Sequence, residues 1–141
     1  MDERKSLEIC ENLVKHCIRM YDIVWVDMEE NEVLACTGKH PAIVIQNNMG
    51  NFNSDYTIVM FGTTKIKREY IPSNFVIKAN SYGLPKDTMF KATTICAIHK
   101  SIISGYIGSI DDDDMKKIIV DAYMSNITGK RDNFNNDASK E

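Results

Sequence analysis

The sequence predicts a mainly β domain with flanking helices, an α+β arrangement built around a small barrel or sandwich. Three observations predict it. Short runs rich in β-branched and aromatic residues follow one another with turn signals between them. Those runs do not alternate with helical stretches, which argues against a β/α fold. A stretch near each end of the chain carries apolar residues at helical spacing.

Residues 3 to 20 are expected to form an N-terminal amphipathic helix, an extension preceding the main domain. Leu7, Cys10, Val14, Cys17 and Ile18 recur there at three- and four-residue steps, and Asp2 is placed to cap it. The main domain is expected over 21–129. It opens with a strand, "YDIVWVD", at 21–27. A connection follows over 28–40, and loops of that length in compact domains are often functional. It ends in Gly38, Lys39 and His40, with Pro41 next. Further strands are expected at 42–46, 56–62, 74–79, 87–91 and 93–98. Between them stand the turn signals "NNMGNFNSD", "IPSN" and "NSYGLPKD". The stretch "SIDDDDMKKIIVDAYMSNITGK" reads as a closing helix. Ser109 or Asp111 is its expected cap, Met115, Ile118, Ile119, Ala122 and Ile127 its buried stripe, and Gly129 its stop. The four aspartates favour the positive end of that helix and read as a helix-start device rather than a metal site. Residues 130–141 are polar and expected to be disordered.

The chain has 141 residues, of which 43% are apolar, the size of one domain with a sizeable core. The longest apolar runs are about five residues, far short of the ~20 that cross a bilayer. The start, "MDERKSLEIC", is too charged for a signal peptide, so a cytoplasmic protein is expected. Cys10, Cys17, Cys36 and Cys96 lack the spacing of a zinc site and read as buried structural thiols. Trp25 reads as core or dimer interface, and His16 and His99 carry no partner spacing. No phosphate-cradling glycine loop, His-Glu-x-x-His or nucleophile elbow is present. Net charge is −3, but Lys39 to Lys100 holds eight Lys or Arg against three acids. That segment is +5 and the remainder −8, a basic middle able to hold a phosphate backbone.

The order of these pieces resembles the MazF/PemK/Kid family of toxin–antitoxin endoribonucleases. The resemblance runs through "YDIVWVD" (21–27), "HPAIVIQNN" (40–48), "TIVMFGTTKI" (57–66), "IPSNFVI" (71–77), "YGLPKDTMF" (82–90) and "IGSIDDDDM" (107–115). It covers residues 21 to 127, and the N-terminal helix lies outside it. It implies an SH3-like, strongly curved small β-barrel that pairs as a homodimer. It also implies a metal-independent endoribonuclease that cuts single-stranded RNA, chiefly messenger RNA, by attack of the 2′-hydroxyl, without a cofactor, and that a cognate antitoxin blocks.

Cutting RNA without a metal requires a base for the 2′-hydroxyl proton, an acid for the departing 5′-oxygen and donors for the charge on phosphorus. The family places an Arg before the proline that opens its second strand and a Thr at the end of its third. Laid on this chain, these positions are His40 and Thr63, which the resemblance makes the expected catalytic pair. Lys39, Thr64, Lys65 and Lys67 are the expected RNA-binding residues. The family's Gly-Ser-Glu-Gln-Gly-Gly loop is Val33 to Gly38 here, with the last glycine alone retained, and its later Gln and Arg correspond to Thr94 and Cys96. Arg grips phosphate with two prongs, whereas His donates at single points. A second expectation therefore stands beside the first: a MazF-like module that binds antitoxin, RNA or protein without cleaving.

Overall fold

The computed structural model of the protein describes residues 17–28 and 38–129. Six strands form one antiparallel sheet: β1 Asp22–Met28, β2 Gly38–Val44, β3 Tyr56–Thr63, β4 Asn74–Ile77, β5 Thr88–His99 and β6 Ile103–Ser109. Their order across the sheet is β4-β5-β3-β2-β1-β6. A short helix, α1 (Asn48–Asn53), joins β2 to β3, and a longer one, α2 (Asp113–Thr128), follows β6. The architecture is mainly β with flanking helices, as expected.

Alternation along the strands divides their apolar residues between two faces. Ile23, Ile43, Met60, Ile77 and Phe90 gather with Ile119 and Ala122 of α2 in one cluster. Val24, Val26, Ala42, Val44, Val59 and Phe61 form the other. Each of the larger of these side chains removed from water contributes roughly 1.5–3 kcal/mol, enough to fix the register from both sides.

The barrel is open. Strands β4 and β6 are edges, and among the described residues no ladder joins them. Contact closes the gap instead, because the loop between β4 and β5 reaches across to β6. A Cβ added to Gly108 would lie 1.9 Å from the carbonyl oxygen of Tyr82, and one added to Gly83 would lie 2.3 Å from that of Ile107. Two backbones meet where only glycine leaves room.

Several elements differ from expectation. Strand β2 begins at Gly38, so Lys39 and His40 stand in the sheet and not in a connection. The strands expected at 87–91 and 93–98 are one strand, β5, interrupted by a bulge. Strand β6 and helix α1 fall where turns or no element were expected. Helix α2 is capped by Asp112, whose side chain accepts from the Met115 amide; neither Ser109 nor Asp111 serves. Its stripe is narrower too, since Ile119 and Ala122 are buried but Ile118 and Ile127 are exposed. Gly129 ends it in the left-handed conformation, as expected.

The helix expected over 3–20 lies outside the described residues up to residue 16. Residues 17 to 20 are not helical. The Arg19 amide donates to the Asp22 carboxylate and the Asp22 amide to the Arg19 carbonyl, a turn that feeds β1. Ile18 is buried there, whereas Cys17 is exposed, contrary to its reading as a buried thiol. The tail expected over 130–141 also lies outside the described residues.

Candidate active site

The site is built where β2 and β3 run out of the sheet. Lys39 pairs with Asp27 and His40 with Val26 across β1. Alternation sends the two side chains to opposite faces. Lys39 Nζ lies 5.3 Å from the centroid of the Trp25 ring, while the His40 ring stands edge-on to Phe61 at 6.5 Å and 82°.

Thr63 is the last residue of β3. Across the β2–β3 ladder Ala42 faces Phe61. Carried two residues further, the same register sets His40 level with Thr63 and on the same face. Both are half-buried. The Thr63 hydroxyl oxygen accepts from the Lys65 amide at 3.1 Å. That contact pins the turn and occupies one lone pair, leaving the hydroxyl proton to be donated outward.

Two clefts meet at this rim. One, of 570 Å³, is lined by Trp25, Lys39, His40, Thr63, Thr64 and Lys65, with Lys86 on its far wall. The other, of 310 Å³, takes in His40, Thr63, Lys65, Lys67, Lys91 and Thr94. His40, Thr63 and Lys65 therefore line both. The six residues expected from the sequence all come to these clefts, Lys67 to the second alone. Among the described residues, no Asp or Glu lines either one. Cations gathered around a concave surface attract a polyanion.

The second cleft owes its wall to the bulge in β5. Met60 faces Ile95 and Gly62 faces Phe90, so Phe61 stands alone opposite four residues, Lys91 to Thr94. The Thr94 hydroxyl donates to the Lys91 carbonyl at 2.9 Å, with the Phe61 carbonyl at 3.3 Å, and so bridges the bulge. Bulges re-aim side chains at the margins of sites. Here Lys91 and Thr94 are turned into the cleft, while Cys96 packs against the second apolar cluster.

The far wall of the first cleft is the loop between β4 and β5, which supplies Leu84, Pro85 and Lys86. The Ala79 amide donates to the Asp87 carboxylate at 2.8 Å, and the Asn80 amide to the Leu84 carbonyl at 2.7 Å. The Tyr82 hydroxyl donates to the Asp112 carboxylate and ties the loop to the start of α2. That hydrogen bond, with burial and the neighbouring aspartates, pushes the Tyr82 phenol up to about 12. The same bond, helped by the Met115 amide, holds the Asp112 carboxyl below the usual range.

Trp25, Lys86 and Lys91 were not singled out by the sequence as binding residues. A tryptophan in an apolar strand reads as core, and the two lysines lie more than twenty residues from Thr63 in the chain. Among the described residues no three His, Cys, Asp or Glu side chains come together as a metal site. The acidic run starts α2 instead, with Asp113 and Asp114 in its first turn.

Residues 19–120 match the family model described as "PemK-like, MazF-like toxin of type II toxin-antitoxin system". The chain is 29% identical over 101 residues to the endoribonuclease EndoA of Bacillus subtilis (strain 168), spanning 72% of this chain and 87% of that protein. Among solved structures it is similar to an endoribonuclease in complex with its cognate antitoxin from Mycobacterial species. The TM-score is 0.63 at 18% identity, covering 81% of this chain and 97% of that one. It is similar also to a MazE-MazF structure from Deinococcus radiodurans, with a TM-score of 0.59 at 12% identity, covering 79% and 95%. These structural likenesses carry the fold.

Proposed function

The chain belongs to the PemK-like, MazF-like toxin family of type II toxin–antitoxin systems, and from that premise we propose that it is a metal-independent endoribonuclease acting on single-stranded RNA. The observation that supports this reading is that His40 and Thr63, which the β2–β3 register brings level when carried two residues on, line both clefts, and that no carboxylate of the described residues lines either.

In the proposed reaction, His40 takes the proton of the 2′-hydroxyl. The 2′-oxygen bonds to phosphorus as the bond from phosphorus to the 5′-oxygen breaks. Lys65, which lines both clefts, gives its proton to the departing 5′-oxygen. The Thr63 hydroxyl donates to a non-bridging oxygen, and Lys39, Thr64 and Lys67 hold the flanking backbone. Acid–base help of this kind contributes roughly 10² to 10⁴ in rate, and a preorganised donor roughly 10² to 10³. A cognate antitoxin is proposed to block the same clefts, where acidic side chains would find the cations. The active form is proposed to be a cytoplasmic homodimer.

A second reading is a non-cleaving module that binds antitoxin, RNA or protein. It is favoured by the contact from the Lys65 amide to Thr63, which a purely structural turn would also use. Incubating the protein with a mixed RNA pool in EDTA separates the two. Cleavage that falls by at least about 100-fold in both His40→Ala and Thr63→Ala supports the ribonuclease. Equal cleavage in the parent and both variants rejects this site, and binding without cleavage establishes the second reading.

A further inference from the structure

Beyond the two clefts lies a third, of 280 Å³, whose lining includes Lys67, Arg68, Ser73, Asn74, Lys91 and Thr93. It shares Lys67 and Lys91 with the 310 Å³ cleft, so the concave surface continues from β2 and β3 towards β5 and β4. Three cations line it, and among the described residues no Asp or Glu does.

Its walls are built in advance. Arg68 sits in the left-handed conformation, with φ of 57°. Its carbonyl accepts from the Ile71 amide and from Asn74 Nδ2, each at 3.1 Å, which holds the turn at the margin of the cleft. The opposite wall is the β5 bulge, with Thr93 exposed. The Ala92 amide donates to the Ser73 carbonyl at 2.8 Å and ties bulge to loop. Tyr70 belongs to the same turn as Arg68 and is 79% exposed. One turn thus presents a cation and an exposed ring, the pair of groups that sites for single-stranded nucleic acid combine, the ring stacking on a base.

We propose that this third cleft is a subsite for a nucleotide flanking the one cut at His40 and Thr63. Its phosphate lies against Lys67, Arg68 and Lys91, and its base against Tyr70. The assignment deepens the ribonuclease reading and rests on it. From the β2–β3 rim to the β5–β4 margin is two strand spacings, about 10 Å. A strand of several nucleotides engages both places, and a very short one engages the rim alone.

The test uses Arg68 and Thr93, which line the third cleft and neither of the other two, and Tyr70 on the adjoining turn. Arg68→Asn removes the charge while keeping a residue that tolerates the left-handed backbone. Thr93→Glu places a carboxylate on the bulge. Binding is read with 2′-O-methyl oligonucleotides, which lack the attacking hydroxyl and cannot be cut. The double variant should bind a dodecamer roughly tenfold more weakly, with a salt slope shallower by about 0.7. Its affinity for a trimer should equal that of the parent. Tyr70→Ala should also weaken the dodecamer, roughly tenfold, and leave the trimer unchanged. Parental affinity and slope for the dodecamer in a double variant of parental urea midpoint would overturn the subsite. So would displacement of the dodecamer by inorganic phosphate at matched phosphate concentration and ionic strength, which would reassign the cleft to a free anion. The two readings fail separately. Parent protein that cuts RNA while the variants bind like the parent loses the subsite and keeps the reaction. Length-dependent binding without any cleavage loses the reaction and keeps the cleft as a nucleic-acid site.

Discussion

Lys39 Nζ lies 5.3 Å from the centroid of Trp25, at the wall of the larger cleft. Trp25 is the single tryptophan of the chain, so its emission reports on this place alone. A saturating uncleavable RNA should quench that emission along the same titration curve as fluorescence anisotropy. Lys39→Ala should change the emission of the free protein, because a cation over an indole face is worth about 0.5–1 kcal/mol at an exposed site. Unaltered emission at full occupancy would remove Trp25 from the binding surface.

The contact that closes the barrel predicts unequal tolerance at two glycines of one strand. A Cβ on Gly108 meets the Tyr82 carbonyl oxygen at 1.9 Å, whereas a Cβ on Gly105 meets Trp25 Cδ1 at an ordinary 3.5 Å. Gly108→Ala should cost about 3 kcal/mol in urea unfolding and Gly105→Ala less than about 1 kcal/mol. Equal midpoints for the two variants would show that the β4–β5 loop does not press on β6.

Helix α1 is held by a buried polar network. The Asn51 amide donates to the Gln46 carbonyl at 2.8 Å, and its oxygen accepts from Thr57 Oγ1 at 2.7 Å and from Gln46 Nε2 at 3.1 Å. The Lys100 ammonium donates to the Asn51 carbonyl. Asn51→Ala leaves several of these groups unpaired and should cost about 3 kcal/mol. RNA affinity per folded molecule should not change, since Asn51 lines none of the three clefts. A thermal midpoint equal to that of the parent would contradict this account.

The Tyr82–Asp112 bond predicts pH dependence at both extremes. Tyr82 is raised from about 10 to about 12 in the folded state. Its contribution is complete below pH 10 and is lost as pH rises from about 10 to about 12. Asp112 is lowered, so its contribution is present above the ordinary carboxylate range and is lost as pH falls through the folded value. Tyr106 is also raised, by burial, so near-ultraviolet titration should find the tyrosinate near pH 12 in the parent and lose that step alone in Tyr82→Phe. That variant should also lose less stability at alkaline pH. An unchanged titration near pH 12 in Tyr82→Phe would break the assignment.

Much of the scaffold was legible because its signals are local. "YDIVWVD" and "YTIVMFG" carry apolar residues on both faces of a strand, and Gly129 marks a helix end by its backbone preference alone. Other parts depend on distant partners. The residues of α1, "NMGNFN", are poor helix formers, and Asn47, Thr57 and Lys100 hold them from outside. Strand β6, "ISGYIGS", includes two glycines that a strand signal does not favour, yet the β4–β5 loop requires one of them. Pro41 suggested that His40 closes a loop, but β2 continues through both residues. The cations of the clefts showed in the sequence as a charge imbalance. Which of them share a surface depends on a bulge whose register no single segment reveals.

The four residues from Lys91 to Thr94 stand opposite one residue of β3. Because they fall outside the regular pairing there, exchanging an exposed residue among them changes the chemistry of the groove without displacing Met60 or Phe90 from the core. Recognition and folding are thus written in adjacent but separable letters, and mutation can retune the first while the second stays fixed.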